Sequence, residues 1–109
     1  MSPLVSIIIP CYNAERWLAA TLESALAQTW SAKEIIFVND GSTDRSLALA
    51  RSFESRSVRV IDQPNRGASA ARNAGLRAAQ GELFQFLDAD DLLSRGKVAA
   101  QVALLAARP

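Results

Sequence analysis

The sequence predicts a Rossmann-like, doubly wound α/β fold, with a mostly parallel sheet of about four strands and four helices. Short apolar runs rich in β-branched residues alternate along the chain with segments of helical spacing, which is typical of βαβ units with right-handed crossovers. The chain has 109 residues, and half of them are apolar. We therefore expect one domain with one core over residues 1–109.

Four apolar runs predict the strands. Residues 4–9 (LVSIII) are continuously apolar apart from one serine, as expected of a strand that is buried on both faces. Shorter runs of this type occupy residues 34–38, 58–61 and 82–87. Polar, proline or glycine residues follow each run, so each strand is expected to end in a connecting loop.

Helical spacing predicts the first helix. Leu18, Leu22 and Leu26 recur at steps of four, which favours a helix with this stripe facing the core. Asn13 precedes the periodic segment and is expected to be the N-cap.

The other three helices are expected at residues 47–53, 68–80 and 95–107. Gly81 is predicted to end the third of these in the C′ position. In the last helix, Val98, Val102 and Leu105 are expected to share the buried face.

Composition excludes several classes of protein. Twelve basic and eleven acidic residues give a formal net charge of +1, without the clustered basic excess that nucleic-acid binding requires. Residues 1–10 do not resemble a signal peptide, and no apolar stretch is long enough to span a bilayer. A single cysteine, Cys11, favours a cytoplasmic location, and peripheral membrane association of a longer protein stays open. The absence of histidine removes the commonest general base.

Side chains that could bind a ligand or a metal ion follow the predicted strands. Tyr12 follows the first strand, Asp40 follows the second, and three aspartates lie within residues 88–91 after the fourth. In a parallel sheet these positions meet at one edge. A ring can stack on a base, a lone carboxylate can accept from a base N–H, and a carboxylate cluster can hold a hard cation. This edge is therefore predicted to bind a nucleoside diphosphate with Mg²⁺ or Mn²⁺.

Some of these aspartates also fit a purely structural role. Asp40 precedes a glycine and could serve only as a turn residue, and Asp91 fits the role of a helix cap equally well. The sequence has no glycine-rich dinucleotide motif and no P-loop, which excludes those two classes of nucleotide site.

Three segments together resemble glycosyltransferase family 2, whose members have the A-type fold. They are SIIIPCYNAERWLAATLESALAQT, EIIFVNDGSTD and NRGASAARNAGLRAAQGELFQFLDADD, in this order and spacing. The resemblance extends over residues 4–109. It implies inverting transfer of a sugar from a nucleotide donor to an acceptor, with the aid of a divalent metal.

The resemblance also implies roles for residues of the nucleoside pocket. Pro10 would line the base pocket and Tyr12 would stack on the base. Asp40 would accept a hydrogen bond from the base N–H. Arg72 would contact the nucleoside or steady Asp40.

The family's DxD motif is matched by residues 88–90. The resemblance places Asp88 near the ribose and Asp90 at the metal-binding position. Members of the family carry a later acidic general base, which is expected beyond Pro109, so no catalytic residue is assigned within this chain. We therefore expect the chain to be the sugar-nucleotide-binding half of a truncated domain, inactive alone, and to self-associate through apolar surface on the last helix and fourth strand.

The hydrogen-bonding groups of the bases indicate which nucleotide the donor carries. A carboxylate at Asp40 accepts from uracil or thymine N3–H, or from guanine N1–H, but faces an acceptor atom in cytosine and adenine. UDP-sugars are therefore the preferred expectation, ahead of dTDP- and GDP-sugars; the sugar and the acceptor are not predicted. The alternative is a non-catalytic α/β structural domain that retains the motifs, which would not bind UDP in a metal-dependent way.

Overall fold

The computed structural model describes residues 2–107 and has the predicted α/β architecture. Its strands are β1 (Val5–Cys11), β2 (Lys33–Asp40), β3 (Val58–Gln63) and β4 (Leu83–Phe86). Its helices are α1 (Leu18–Leu26), α2 (Ser46–Arg51), α3 (Ala68–Ala78) and α4 (Lys97–Ala106). The strands form one sheet in the order β3-β2-β1-β4, and all three pairings are parallel. The predicted fold class is confirmed.

Helices cover both faces of the sheet. On one face, Ile7 and Ile9 of β1 pack in a core shared with α1, α2 and α4. On the other face, Ile36 and Val38 of β2 pack against α3. The apolar run of β1 is thus buried on both sides, as its composition predicts. Among the described residues, no helix has the length and apolar character needed to cross a membrane.

Helix α3 approaches the sheet closely because it carries small residues. A methyl group at Gly75 would collide with the side chain of Ile8 in the central strand. Any larger residue at this position would push α3 away from β1 and β2. The first turn of α3 lies at the carboxyl edge of the sheet, so this close packing also fixes one wall of the candidate site.

The first helix begins later than predicted, and Asn13 is not its N-cap. Asn13 has a left-handed backbone conformation (φ 52°), and α1 begins at Leu18 after a turn. Leu18 and Leu22 are fully buried as predicted, but 37% of the surface of Leu26 is exposed and Thr21 is buried instead. The buried face is therefore rotated towards residues at steps of three and four from Leu18.

Two further predictions about helices were wrong. Helix α3 ends at Ala78 because Ala79 is extended, and Gly81 lies outside the left-handed region; its amide donates to the hydroxyl of Ser6. Leu105 does not share the buried face of Val98 and Val102, because about half of its surface is exposed (52%).

The strand order locates the expected ligand edge. From β1 the chain proceeds through β2 to β3 on one side, and then α3 carries it back across the sheet to β4 on the other side of β1. The connections after β1 and β3 thus lead in opposite directions. Ligands in such sheets bind beyond the carboxyl ends of the strands at this switch point.

Candidate functional site

A cleft of about 120 Å³ opens at the carboxyl ends of β1, β2 and β4, beside the first turns of α3. Its lining comprises Pro10, Cys11, Tyr12, Asp40, Ala68, Ala71, Arg72 and Asp88. All five residues predicted to bind the nucleotide are in this set. The fold therefore brings together side chains that are up to 78 positions apart in the sequence (Pro10 to Asp88).

A second cavity of about 220 Å³ adjoins the cleft and contains the predicted metal ligand. It is lined by Pro10, Tyr12, Asn13, Ala14, Trp17, Ala89 and Asp90. Pro10 and Tyr12 belong to both linings. Tyr12 therefore lies between the predicted nucleoside residues and Asp90.

Asp40 is the most constrained side chain of the cleft. It is 3% exposed, and its carboxylate accepts three hydrogen bonds. Oδ1 accepts from Nε2 of Gln63 (2.9 Å) and from the amide of Arg66 (2.8 Å), and Oδ2 accepts from the amide of Gly67 (2.9 Å). Asp40 thus ties the loop between β3 and α3 to the end of β2.

This loop depends on two glycines. Gly67 has φ of 100°, which a residue with a side chain rarely adopts, and this conformation directs its amide at Asp40. Gly41 has φ of 71°, and a Cβ there would lie 2.5 Å from the amide nitrogen of Asn65. Asn65 in turn donates from Nδ2 to the carbonyl oxygen of Asp40 (3.1 Å). Through these contacts Gly67 and Asn65 shape the loop that holds Asp40.

The hydrogen bonds also set the charge of Asp40. Burial by itself raises the pKa of this carboxyl, but donation from Gln63 and from the amides of Arg66 and Gly67 outweighs it, so the pKa lies below its ordinary value. Asp40 is therefore ionised at neutral pH and can only accept hydrogen bonds. Since each carboxylate oxygen offers two lone-pair positions, one acceptor position on Oδ2 stays available to a ligand.

Arg72 lies in α3 and lines the cleft while half buried. Within residues 2–107 it forms no ion pair with Asp40. Gln63 and two backbone amides hold Asp40 instead. The contact of Arg72 with the nucleoside stays a prediction.

Tyr12 presents its ring at the entrance of the cleft, where 53% of its surface is exposed. The next residue holds the loop in place. The amide of Asn13 donates to Oγ of Ser42 (2.9 Å), and Oδ1 of Asn13 accepts from the amide of Thr43 (2.8 Å). The sequence did not reveal these bonds between the loops after β1 and β2, because no short-range pattern records them.

Cys11 contributes no reactive group to the cleft. It is buried, and burial raises the pKa of its thiol above the ordinary value. A thiol in this state is a small apolar group rather than a nucleophile.

The aspartates after β4 differ from one another. Asp88 and Asp90 are exposed, with Ala89 buried between them. Oδ1 of Asp91 accepts from the amide of Leu92 (2.8 Å). Asp91 does not cap α4, which begins six residues later at Lys97; it stabilises the turn in which it lies.

The aspartates after β4 supply some, but not all, of the ligands that a hard divalent cation requires. Carboxylate oxygen is the preferred ligand of Mg²⁺ and Mn²⁺, and Asp90 offers one at the cavity. Within residues 2–107, no three acidic, cysteine or histidine side chains converge into a complete metal site. A cation here would take its other ligands from phosphate or water, which is the usual arrangement for Mg²⁺ bound with a nucleotide.

Helix α1 and the segment directly after it make polar contacts to this aspartate segment that the sequence did not reveal. Thr21, Ser24 and Gln28 contact the backbone of residues 89–98. Threonine, serine and glutamine spaced by three and four residues indicate buried polar contacts only weakly, because such residues usually face solvent.

A profile of the family described as "Glycosyl transferase family 2" matches residues 6–109. The uncharacterized glycosyltransferase EpsJ of Bacillus subtilis (strain 168) is 49% identical over 96 residues, which are 86% of this chain and 28% of that protein. The uncharacterized glycosyltransferase YibD of Escherichia coli (strain K12) is 47% identical over 89 residues, 80% of this chain and 26% of that protein. The chain thus spans between a quarter and a third of the length of these two relatives.

Two solved structures share the fold. S. aureus TarS in complex with UDP-GlcNAc superposes with a TM-score of 0.87 at 28% identity, over 94% of this chain and 31% of that one. The mannosyltransferase PcManGT from Pyrobaculum calidifontis, in complex with GDP-Man and Mn²⁺, gives 0.86 at 26% identity over 100% of this chain and 34% of that one.

Proposed function

The chain belongs to glycosyl transferase family 2, and on this premise we propose that it binds the nucleotide-sugar donor of an inverting glycosyltransferase. One observation carries the proposal: Pro10, Tyr12, Asp40, Arg72 and Asp88, each expected to contact the donor, line a single cleft. The cleft lies at the switch point of the sheet, where ligands of this fold class bind.

Uracil is the base that we expect to bind, with guanine as the next candidate. Asp40 is an ionised acceptor with one free lone-pair position, and uracil N3–H and guanine N1–H are suitable donors. TarS was solved with UDP-GlcNAc and PcManGT with GDP-Man, and both of these bases carry such an N–H. Tyr12, at the entrance, would stack on the base.

Asp90 would hold Mg²⁺ or Mn²⁺, with the donor's diphosphate supplying further oxygen ligands. When bound, the cation would neutralise charge on the diphosphate leaving group. PcManGT was solved with Mn²⁺, which supports the use of a divalent cation in this fold. Asp88 lies in the cleft with Tyr12 and Asp40, which fits its expected place near the ribose.

The proposed reaction is a single displacement. An acceptor hydroxyl attacks the anomeric carbon from the face opposite the nucleotide, the new C–O bond forms, and the bond from that carbon to the diphosphate oxygen breaks. The nucleoside diphosphate departs with the electron pair, and a general base takes the hydroxyl proton. The residues of this chain would bind and orient the donor.

Calorimetric titration of nucleotides tests the proposal. With Mn²⁺ present, UDP is expected to bind at least about tenfold more tightly than CDP or ADP, because cytosine and adenine leave Asp40 facing an acceptor. Without Mn²⁺ the affinity for UDP should fall. Equal binding of all three nucleotides, or no binding, would instead support a structural domain that retains the motifs.

Two predictions concern the whole molecule. A groove of about 280 Å³ between β4 and α4 exposes Phe84, Leu104 and Leu105, and apolar surface of this kind favours self-association. Sedimentation velocity over a range of concentrations tests this, and a monomer throughout would contradict it.

A cytoplasmic location also stays a prediction, and fractionation of cells that express the protein would test it.

A further inference from the structure

Polar side chains of α1 and of the segment that follows it are buried or half buried. Thr21 has no exposed surface and Gln28 is 4% exposed, and Ser24 between them is half buried. Thr21 and Ser24 lie three positions apart on one side of α1, and Gln28 lies two residues beyond the end of the helix at Leu26. The segment opposite them is the one that carries the aspartates, from Ala89 to Val98.

Thr21 contacts the backbone on both sides of Asp90. Its hydroxyl lies 2.7 Å from the carbonyl oxygen of Asp91 and 3.0 Å from that of Ala89. The hydroxyl has one hydrogen and donates to one of these carbonyls at a time. The peptide units that flank Asp90 are therefore held against α1 from inside the protein.

Ser24 and Gln28 hold the next part of the segment. Oγ of Ser24 accepts from the amide of Leu93 (3.1 Å). Nε2 of Gln28 donates to the carbonyl oxygen of Ser94 (2.8 Å), while its Oε1 accepts from the amide of Val98 at the start of α4 (3.0 Å). The contacts thus continue along the whole connection from β4 to α4.

This backbone support decides where the Asp90 carboxylate points. The side chains of Asp88 and Asp90 are exposed, and none of the described hydrogen bonds reaches their carboxylates. Their positions therefore depend on the main chain alone. Asp40 provides the contrast, since three donors hold its carboxylate directly.

We propose that Thr21 is a positioning residue for the metal ligand Asp90, with Ser24 and Gln28 holding the rest of the segment; this inference rests on the proposed function. Burying a hydroxyl and a carboxamide is costly unless they are hydrogen-bonded, and the bonds of Thr21 and Gln28 converge on this segment. An apolar residue would fill the same space but would leave the aspartate backbone unsupported.

The test compares Thr21→Val, which keeps the shape but removes the hydroxyl, with Thr21→Ser, which restores it. For each protein, calorimetry measures UDP affinity with and without Mn²⁺. Thr21→Val is expected to lose about tenfold of the affinity gained on adding Mn²⁺, the size typical of groups that orient metal ligands. Metal-free UDP binding should change little, and Thr21→Ser should recover most of the gain.

Ser6→Ala is the matched control for a purely structural effect. Ser6 is also fully buried and bonds to Glu34 and Gly81, but it lies at the opposite end of β1 from the cleft. It should lower stability without changing the effect of Mn²⁺. If Thr21→Val does not fold, the milder Ser24→Ala takes its place, with faster amide exchange at Leu93 in the metal-free protein as the second readout.

The outcomes separate the inference from its premise. If wild-type protein binds UDP more tightly with Mn²⁺ and Thr21→Val does so equally, the positioning role is wrong and the proposed function stands. If the wild-type protein shows no dependence on Mn²⁺, the proposed function fails and the inference fails with it. A loss in Thr21→Val that Thr21→Ser does not recover would also overturn the role of the hydroxyl.

Discussion

The cleft and the adjoining cavity together form a site whose two ends are built in different ways. At the end formed by β2 and α3, the carboxylate of Asp40 is buried and accepts three hydrogen bonds from the protein. At the end formed by β4, the carboxylates of Asp88 and Asp90 are exposed, and α1 holds only the backbone that carries them.

The difference corresponds to two tasks. Recognition of a base requires an acceptor of fixed direction and charge, which a buried carboxylate held by several donors provides. Binding of a cation requires carboxylate oxygens whose lone pairs are not already used by hydrogen bonds. This is achieved when the side chain makes no hydrogen bonds and the main chain holds it in position. Substitutions at the two ends should therefore fail differently: at Asp40 stability should suffer, and at Asp90 only binding.

The largest expected effect is on metal-dependent binding. In Asp90→Ala the carboxylate ligand is lost, and the gain in UDP affinity on adding Mn²⁺ should fall by about 100-fold or disappear. Thermal stability should stay within about 0.5 kcal/mol, because the side chain is exposed. Calorimetry and thermal melts check both, with Asp91→Ala as the control. Retention of the Mn²⁺ effect in Asp90→Ala would exclude Asp90 as the ligand.

Asp40→Asn should act mainly on stability. One oxygen of the carboxylate is replaced by an NH₂ group, which cannot accept a hydrogen bond from the protein donors that face it. The free energy of unfolding should therefore fall by about 2 kcal/mol. Asp62→Asn is a matched control at the end of β3, because its remaining oxygen can still accept from Asn39. Urea unfolding of the two variants checks the difference. Equal stabilities would mean that the bonds to Asp40 add nothing to the fold.

Tyr12→Ala should weaken UDP binding by about tenfold and leave stability nearly unchanged, because base stacking on an aromatic ring contributes about 1–3 kcal/mol and the ring is half exposed. Tyr12→Phe keeps the ring and should bind nearly as well as the wild type. A loss as large in Tyr12→Phe as in Tyr12→Ala would assign the effect to the hydroxyl instead.

A smaller effect is expected from pH on the free energy of unfolding. The pKa values of Asp40 and Asp44 both lie below the ordinary value, because hydrogen bonds outweigh the opposing effect of burial. Their contribution to stability is therefore complete above the unfolded-state pKa of about 3.9 and is lost as pH falls towards the folded-state values. Urea unfolding between about pH 6 and about pH 3 checks this. Asp40→Asn should show a shallower loss, and stability that rises on acidification would contradict the assignment.

The sequence predicted the sheet and the strand-end residues of the cleft because both follow from local patterns, whereas Arg72 was assigned only through the family resemblance. Apolar runs specified the four strands, and parallel strands place the residues after them at one edge. Tyr12, Asp40 and Asp88 could therefore be assigned to one site from the order of strands and loops along the chain.

What the sequence missed depends on long-range contacts. Asn13 looked like an N-cap, but its side chain bonds to the loop after β2, 30 residues away. Thr21 and Gln28 looked like ordinary helix residues, but their partners lie about 70 residues further along the chain. A periodic pattern can indicate that a face is buried, but it does not identify the polar partner that makes a buried threonine stable.

The most direct test of the central claim is an amide NMR titration of the isotope-labelled chain with UDP and Mn²⁺. We expect UDP to shift the resonances of Tyr12, Gly67 and Arg72 together. Paramagnetic Mn²⁺ added with the nucleotide should then broaden those of Ala89 and Asp90 more strongly than that of Phe84 at the β4–α4 groove. Shifts and broadening centred on that groove, with the cleft unchanged, would contradict the account.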